Sequence, residues 1–306
     1  MPQRPIQYAD PAFDRVAERR TDADWLAARL SDAASRFTFI SNRKHVVADE
    51  DTRWWSVDVA HAVTGGAAHV SEHAILLGEV DGIAHFAVEV HEHSLDDANV
   101  GNVRELAGVR ELVGELHTTE ATALAYAGAL THWHRGHQFC PVCGTATVSE
   151  QAGHVRRCRA SDCGRLQFPR SDPAVICLVI DGERALLARR RVWPADRRST
   201  IAGFVEPSET LEQAVQREVF EEVGIRVGRA VYRGSQPWPF PASLMLGFWA
   251  YAQSTDIEVD GDEIAEASWF TREEIRAQSS AGLLTLPSSD SISRRLVDDW
   301  VDTVDA

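Results

Sequence analysis

The amino-acid sequence predicts an α/β protein, in which a C-terminal α/β/α sandwich follows a small cysteine-rich module and an α+β N-terminal domain. Three observations lead to this prediction. From residue 172 onwards, strand patterns alternate with amphipathic helices, which is typical of a mixed sheet with helices on both faces. Four of the five cysteines lie between Cys140 and Cys163. Residues 1–130 combine helix and hairpin patterns, so we expect domains at 1–130, 131–170 and 171–306.

The composition limits the classes of partner. A net charge of −15 argues against wholesale nucleic-acid binding, because phosphate is repelled on average. Between His154 and Thr200, however, eleven arginines face five acidic residues. This basic region is suited to binding a polyphosphate or the stem of an RNA. The alternative interpretation is that these arginines only keep a small module soluble. No apolar run is long enough to span a membrane and residues 1–13 do not resemble a signal peptide, so we expect a cytoplasmic protein.

The N-terminal domain carries structural signals without a catalytic motif. A helix is predicted to begin at Thr21 or Asp22, and the run HAILLGEVDGIAHF predicts a hairpin. His91 and His93 alternate along a strand pattern, but two histidines without a third ligand favour exposed polar residues over a metal site. A long helix beginning near His117 is expected to run directly into the cysteine module.

The cysteine module has the spacing of a metal site. Cys140 and Cys143 form one C-x₂-C pair, Cys158 and Cys163 form a C-x₄-C pair, and fourteen residues separate the two. Four thiolates in two such loops predict a closed tetrahedral Zn²⁺ site of structural type, a zinc ribbon. A redox switch is the alternative. Cys177 stands alone in an apolar strand pattern and is expected to be a buried thiol.

The C-terminal domain begins with a strand, an Asp-Gly turn and a second strand, which predicts a hairpin. Thr271 and Glu274 have capping-box spacing and predict a helix that ends near Gly282. The run SISRRLVDDWVDTV predicts a final amphipathic helix. Between these elements, three prolines in SQPWPFPAS, residues 235–243, predict a stiff extended loop suited to stacking on a base, with a rigid surface turn as the alternative.

The stretch from Gly203 to Ile225 holds the candidate catalytic residues. A helix is predicted to begin after Thr210, which has Gln213 three residues on, and to end at Gly224. Glu218, Glu221 and Glu222 are related by spacings of three and four, so they project from one side of this helix. Such carboxylates suit Mg²⁺ or Mn²⁺, and a solvated acidic helix face is the alternative.

The complete pattern, Gly203-x₅-Glu209-x₇-Arg217-Glu218-Val219-x-Glu221-Glu222-x-Gly224-Ile225, resembles the Nudix box at every fixed position. Together with the four cysteines and SQPWPFPAS, it is similar to the NADH pyrophosphatase subfamily of the Nudix hydrolases. This resemblance covers residues 100–306 well and implies a Nudix α/β/α sandwich. It implies that Glu218, Glu221 and Glu222 hold catalytic Mg²⁺ or Mn²⁺, and that Glu209 and Arg217 fasten the loop to the helix.

Further roles follow from the same resemblance. Ala202 is expected to lend a backbone carbonyl to a metal ion, and Glu263 to supply a further carboxylate. Phe204 and Phe168 are expected to sandwich the nicotinamide, with Phe168 supplied by the second subunit of a homodimer. Arg110, with Arg104 as a rival, is the expected substrate arginine, and Ser293 is expected to make a backbone contact. The expected lining of the dinucleotide site is Gln236, Pro237, Trp238, Pro239, Phe240, Pro241, Ala242 and Ser243.

The implied activity is hydrolysis of the diphosphate of NAD(H) to nicotinamide mononucleotide and AMP. Glu221 and Glu263 remain alternative acceptors of the water proton. Removal of an NAD cap from RNA 5′ ends by the same site is a second hypothesis, which the local arginines permit. A non-catalytic Nudix-like domain that senses nucleotides is a third, and the presence of every box glutamate argues against it.

Overall fold

The computed structural model describes residues 6–49, 53–95, 100–101, 103–112 and 114–303, and the side chain of Arg104 lies outside that description. The chain divides into two compact units. The C-terminal unit comprises the described part of Met1–Gln7 with Ser171–Trp238 and Ser243–Ala306. The N-terminal unit comprises Tyr8–Arg170 and Pro239–Ala242.

The N-terminal unit contains a five-stranded sheet in the order β3-β4-β1-β2-β5. The strands are β1 (Arg36–Ser41), β2 (Lys44–Ala48), β3 (Ile75–Val80), β4 (Ile83–Glu89) and β5 (Val103–Ala107). β1 and β4 run parallel, and the other neighbours are antiparallel. The α-helices are α1 (Ala23–Leu30), α2 (Val57–Thr64), α3 (Ala67–His73), α4 (Val109–Leu112) and α5 (Thr118–Gly136).

Local sequence explains two of these elements, and both predictions are confirmed. Asp22 caps α1, because its carboxylate accepts a hydrogen bond from the Trp25 backbone N–H at 3.0 Å. Asp81 and Gly82 both adopt positive φ, at 52° and 78°, which closes the β3–β4 hairpin. The long helix α5 packs Ala123, Ala127 and Leu130 into a buried cluster.

The same unit contains a three-stranded ribbon in the order β6-β7-β8, with β6 (Thr147–Glu150), β7 (Val155–Cys158) and β8 (Leu166–Gln167). All of its neighbouring strands are antiparallel. The ribbon buries little apolar surface of its own: Phe139, Val142, Leu166 and Phe168 are exposed. Its two cysteine loops therefore need another source of stability.

The C-terminal unit contains a mixed sheet in the order β12-β13-β9-β10-β14, with β11 paired to β9. The strands are β9 (Asp172–Asp181), β10 (Arg184–Arg190), β11 (Ile201–Phe204), β12 (Val227–Trp238), β13 (Ser243–Ala252) and β14 (Ile264–Thr271). The helices are α6 (Leu211–Val223), α7 (Arg272–Ser280) and α8 (Ile292–Asp302). One buried cluster contains Val215 and Val219 of α6, and another contains Ile275 of α7 and Leu296 of α8. Helices thus cover both faces of the sheet, and the predicted α/β/α sandwich is confirmed.

Helix α6 begins and ends where its sequence predicts. Thr210 and Gln213 form a reciprocal capping box, and Gly224 ends the helix in the left-handed conformation, with φ 71°. Val215, Val219 and Val223 are fully buried, which directs the opposite side of the helix outward. The capping box at Thr271 and Glu274 and the helix over residues 292–302 are likewise confirmed.

The predicted loop at residues 235–243 differs from the structure. β12 continues to Trp238 and pairs with the start of β13, so only residues 239–242 connect the two strands. Pro237 is tolerated here because β12 is an edge strand, where one missing N–H interrupts no second ladder. The segment is extended as expected, but its first half belongs to the sheet.

The two units share one strand arrangement. The parallel pair β9–β13 of the C-terminal unit corresponds to β1–β4 of the N-terminal unit, and each pair lies at the centre of its sheet. In each unit, one antiparallel strand lies on one side of the pair, β3 or β12, and two lie on the other, β2 and β5 or β10 and β14. In the C-terminal unit, the segment between β10 and β12 contains β11 and α6. In the N-terminal unit, the segment between β2 and β3 contains α2 and α3.

Candidate active site

Arg217 joins the box loop to helix α6. Its guanidinium donates to both carboxylate oxygens of Glu209 at 2.9 Å and to the Phe204 carbonyl at 2.8 Å. Glu209 also accepts from the Glu206 N–H at 3.0 Å. The Arg217 hydrogen bonds hold the pKa of Glu209 below its usual value. This bidentate pair fixes the loop conformation that leads from β11 into the helix.

Glu218 reaches the site because Gly203 has no side chain. A Cβ atom added at Gly203 would lie 1.9 Å from Cδ of Glu218. The Glu218 carboxylate therefore packs directly against the backbone of β11, and Arg217 donates to it at 2.8 Å. Partial burial raises the pKa of Glu218, and the Arg217 contact opposes that rise. The first glycine of the box is thus a steric requirement of this carboxylate.

Glu222 lies one turn further on and is 5% exposed. Burial raises the pKa of Glu222 to about 8; the negative charge of Glu263 adds to the rise and the positive charge of Arg190 opposes it. Glu221, by contrast, has a side chain that is 58% exposed and accepts from Arg217 at 3.1 Å. The three box glutamates therefore differ in environment although they share one side of α6.

Glu263 lies immediately before β14 and is half exposed. Its carboxylate forms an ion pair with Arg190 of β10, and its carbonyl accepts from the Arg191 N–H at 3.1 Å. Asp260 connects Glu263 to α6, because the Asp260 N–H donates to the Glu222 carbonyl at 3.2 Å and the Asp260 carboxylate accepts from the Glu263 N–H at 3.1 Å. The structure thus places Glu263 close to the helix that carries Glu218, Glu221 and Glu222.

This donor set fits a hard divalent cation. Glu218 and Glu222 are both partly or largely buried, with pKa values raised by burial and by neighbouring carboxylates, and a cation relieves both effects. Among the residues that the structure describes, no three of these carboxylates place an oxygen within 4.8 Å of one another. Ala202 lies in β11 opposite Ile176 of β9. Because the Val205 N–H donates to the Pro173 carbonyl of β9 in the same register, Ala202 occupies a non-hydrogen-bonded position, and its N–H and carbonyl point away from β9.

The four predicted zinc ligands converge in the ribbon. Their sulfur atoms all lie within 4.8 Å of one another. Cys140 and Cys163 are 3.8 Å apart at Sγ, and Cys143 and Cys158 are 3.4 Å apart. A tetrahedron with Zn–S bonds of about 2.3 Å has sulfur atoms about 3.8 Å apart, so the set fits zinc. All four are free cysteines, and Cys177 is buried in β9 as expected.

Gln236, which is expected to line the dinucleotide site, has a buried side chain. It is 1% exposed, its Nε2 donates to the Asp290 carbonyl at 2.6 Å, and its Oε1 accepts from the Ile292 N–H at 2.7 Å. The amide thus closes the start of α8, and its hydrogen-bonding atoms are occupied within the protein. The reason is the strand pairing of β12, which turns this side chain inward.

Ser293 is also buried, at 4% exposure. Its hydroxyl contacts those of Ser199 and Thr200 at 2.9 and 2.8 Å. Phe204 and Phe168 are 60% and 53% exposed, which leaves both rings available for stacking. Pro237, Trp238 and Ser243 belong to β12 and β13 of the C-terminal unit.

The remaining predicted substrate residues belong to the N-terminal unit. Pro239, Phe240, Pro241 and Ala242 are grouped there. The Phe240 ring makes an edge contact with Tyr8 at 5.5 Å between centroids, and the Arg110 guanidinium lies 5.8 Å from the same ring. The structure thus brings Arg110 and Phe240 together, and Arg104 cannot be compared because its side chain lies outside the described residues.

Arg190 is a residue of the site that the sequence analysis did not single out. Leu186, Ala188 and Arg190 alternate along β10, and the first two pack in the cluster that contains α6. That alternation was visible in the sequence and predicts that Arg190 faces the box helix. Its partner Glu263 is distant in sequence, so the ion pair itself was not visible.

Comparison with known proteins places these features in a family. Three family models match in succession: an NADH pyrophosphatase-like rudimentary Nudix domain over residues 34–133, an NADH pyrophosphatase zinc ribbon domain over 135–168 and a Nudix domain over 170–286. The NAD-capped RNA hydrolase NudC of Mycobacterium bovis is 37% identical over 94% of this chain and 92% of its own length. The human NAD-capped RNA hydrolase NUDT12 is 33% identical over 96% of this chain and 73% of its own length.

The complete box, its carboxylates and the α/β/α sandwich define a Nudix hydrolase. The chain belongs to the NADH pyrophosphatase family of these hydrolases, as its ribbon and the full-length relatives establish. It is an enzyme that hydrolyses phosphoanhydrides, with Mg²⁺ or Mn²⁺ as the catalytic metal and Zn²⁺ as the structural metal. Within the described part of the chain, the helices are too short or too polar to cross a bilayer.

Proposed function

We propose that this protein hydrolyses the diphosphate of NAD(H) to nicotinamide mononucleotide and AMP. The observation that carries the proposal is the placement of three carboxylates: Glu218 of α6 packs against Gly203 of β11, and Asp260 joins Glu263 to Glu222 by hydrogen bonds. A diphosphate resists attack by water because its oxygens repel the nucleophile. A site that concentrates carboxylates for divalent ions is suited to that bond.

We assign Glu218, Glu221, Glu222 and Glu263, with the Ala202 carbonyl, as ligands of Mg²⁺ or Mn²⁺. When bound, these ions neutralise the diphosphate oxygens and lower the pKa of a coordinated water. Arg217 and Glu209 hold α6 and the loop in register. Glu221 and Glu263 are the more exposed carboxylates and remain the two candidates for accepting the water proton.

The dinucleotide is proposed to lie between aromatic side chains. Phe204 and Phe168, the latter supplied by the second subunit of the homodimer, have the exposed rings that stacking on nicotinamide requires. Trp238, Pro237 and Ser243 are proposed to line the site, together with Pro239, Phe240, Pro241, Ala242 and Arg110. Gln236 and Ser293 are proposed to act through the backbone, since their side chains are buried.

We propose a homodimer in the cytoplasm. Phe139, Val142, Leu166 and Phe168 of the ribbon are 63%, 65%, 37% and 53% exposed, an apolar set that association would cover. Free cysteines at a zinc site fit a reducing compartment. Sedimentation of the purified protein tests the dimer, and a monomer at micromolar concentration contradicts it.

Removal of NAD from the 5′ ends of RNA is the second candidate function. The relatives from Mycobacterium bovis and human carry the name NAD-capped RNA hydrolase. The eleven arginines between residues 154 and 200 give the chain a local basic region despite its net charge. Both activities use the same diphosphate and the same carboxylates.

The test is product analysis with a substrate panel. Purified protein with Mg²⁺ or Mn²⁺ is incubated with NADH, NAD⁺, other dinucleotides and NAD-capped RNA, and the products are identified. Nicotinamide mononucleotide with AMP, or with 5′-monophosphate RNA, is the expected result. Binding of NADH without any turnover identifies the protein as a nucleotide sensor and contradicts the proposal.

A further inference from the structure

Two guanidinium groups accompany the carboxylates of the site, and they are held differently. Arg217 is bound to Glu209 through two hydrogen bonds, to the Phe204 carbonyl, and to Glu218 and Glu221. Arg190 forms an ion pair with Glu263, and its guanidinium lies 5.8 Å from the Trp193 ring. Its side chain is 42% exposed, against 23% for Arg217. Arg217 is therefore fixed, whereas Arg190 is free to leave its carboxylate.

The alternation of side chains along β10 places Arg190 on the face of the sheet that α6 covers, because Leu186 and Ala188 pack in the α6 cluster. The pairing of β10 with β14 shifts between Arg189 and Arg190, where Arg189 faces Glu266 and Arg190 faces Ile264. The extra residue, Ala265, lies on β14, so the alternation along β10 is unbroken. Ile264 packs in the α6 cluster, so Arg190 shares that face. Arg189, its neighbour, points to the other face and pairs with Glu266 at 2.7 Å.

Arg190 and a divalent metal ion are alternative positive charges for the carboxylates of the site. Glu218 packs against Gly203 with 14% of its side chain exposed, and Glu222 is 5% exposed, so both carboxylates have little solvent to balance their charge. Arg190 supplies positive charge to Glu263 through their ion pair. A divalent ion that takes Glu263 as a ligand needs the same carboxylate oxygens, so the ion and the guanidinium compete.

We propose that Arg190 is a positioning residue that holds Glu263 in the metal-free enzyme and gives this carboxylate up when the catalytic Mg²⁺ or Mn²⁺ binds. Arg190 thereby sets the metal concentration at which the site fills. The inference rests on the proposed role of Glu263 as a metal ligand. Displacement of Arg190 leaves a mobile cation beside the site in the metal-bound enzyme.

The test measures Mn²⁺ binding to the full chain by calorimetry and thermal melting, without substrate. Arg190→Gln removes the competitor, so we expect about two- to tenfold tighter Mn²⁺ binding. The gain in Tm on adding Mn²⁺ is expected to exceed that of the unmodified protein. Arg189→Gln is the matched control, because it removes the same charge from the adjacent position on the opposite face, and its Mn²⁺ affinity is expected to stay unchanged.

A second comparison separates displacement from general charge. In a Glu263→Gln background, Arg190→Gln is expected to change Mn²⁺ affinity much less, because the shared carboxylate is gone. An equal change in both backgrounds, weaker binding in Arg190→Gln, or equal affinity in all variants overturns the proposal. If the unmodified protein itself binds no Mn²⁺, the metal assignment of the proposed function fails as well.

Discussion

In the C-terminal unit, the segment between hairpins β9–β10 and β12–β13 contains β11, the box loop and α6. In the N-terminal unit, the segment at the same topological position contains α2 and α3, separated by Gly65 and Gly66. Both glycines have positive φ, at 83° and 131°, so the helix is broken where α6 is continuous. The match of this region to a rudimentary Nudix domain agrees with that arrangement.

This comparison indicates that the residues that specify the sheet and the residues that form the catalytic site are different. Both sheets keep their strand order because buried apolar side chains on each strand specify it. The chemistry requires a continuous helix, a glycine at the facing strand and carboxylates at spacings of three and four. The N-terminal unit has the buried apolar side chains that specify the sheet, but in its described residues it lacks the continuous helix between its hairpins. We therefore expect it to contribute no metal ligand to catalysis.

The largest expected effect comes from replacing one glutamate in each unit by glutamine and comparing the two variants. Glu222→Gln is expected to lower turnover by about 10²–10³-fold or more, because a buried metal ligand is lost. Its fold and dinucleotide binding are expected to remain, since the amide has a similar volume. Steady-state hydrolysis of NADH measures the effect. Glu72→Gln on α3 is the matched control, and a comparable loss there would mean that the N-terminal unit takes part in the chemistry.

Zinc removal probes the N-terminal unit through its ribbon. Cys158→Ser, or stripping zinc from the protein, is expected to unfold the ribbon, because metal binding to such sites contributes about 10 kcal/mol or more to folding. Metal analysis and thermal melting measure this. Cys177→Ala in the C-terminal unit is the control and is expected to retain zinc. Full thermal stability without zinc would contradict a structural role.

Gly203→Ala tests the steric part of the contrast. The added methyl group would overlap the Glu218 carboxylate, so we expect turnover to fall by about 10- to 100-fold with the fold retained. Kinetics and circular dichroism provide the two measurements. Gly136→Ala in the N-terminal unit adds the same group where nothing lies within 4 Å, and no change is expected there. Unaltered turnover in Gly203→Ala would show that Glu218 does not need this position.

Lowering the pH is expected to destabilise the N-terminal unit before the C-terminal unit. All twelve histidines lie between His45 and His154, and burial lowers the pKa of His45, His134 and His154 to about 4. The unfolded chain therefore binds more protons than the folded chain between pH 6.5 and 4, and stability falls as pH falls. Between pH 7 and 5.5, each buried histidine is expected to lower the free energy of unfolding by about 1 kcal/mol.

Hydrogen exchange at the two pH values measures this difference by region. After correction for intrinsic rates, peptides from β1 and β4 are expected to lose protection at pH 5.5, whereas those from β9 and β13 are expected to lose less. The contacts of His134 suit a neutral ring. Its Nδ1 lies 2.8 Å from the Arg156 guanidinium, which only donates, and its Nε2 lies 2.8 Å from the Gly153 carbonyl, which only accepts. Equal loss in both units would contradict the histidine explanation.

Prediction from sequence succeeded where the information was local. The start of α1 at Asp22, the capping box of α6 and the four-cysteine set each depend on residues close together in the chain. It failed at the loop of residues 235–243, because prolines indicate an extended chain but not whether a neighbouring strand pairs with it. The domain boundaries at residues 130 and 170 stay predictions.

The sequence by itself determined the family, the metal-binding residue types and the helix that carries the box, because these depend on short spacings and on residue chemistry. Only the tertiary structure decided that Glu218 rests on Gly203, that Gln236 is buried beneath α8, and that Arg190 pairs with Glu263. Each of these contacts joins residues on different elements. The physical reason is that sheet register and helix packing select which distant side chains meet, and no local spacing encodes that choice.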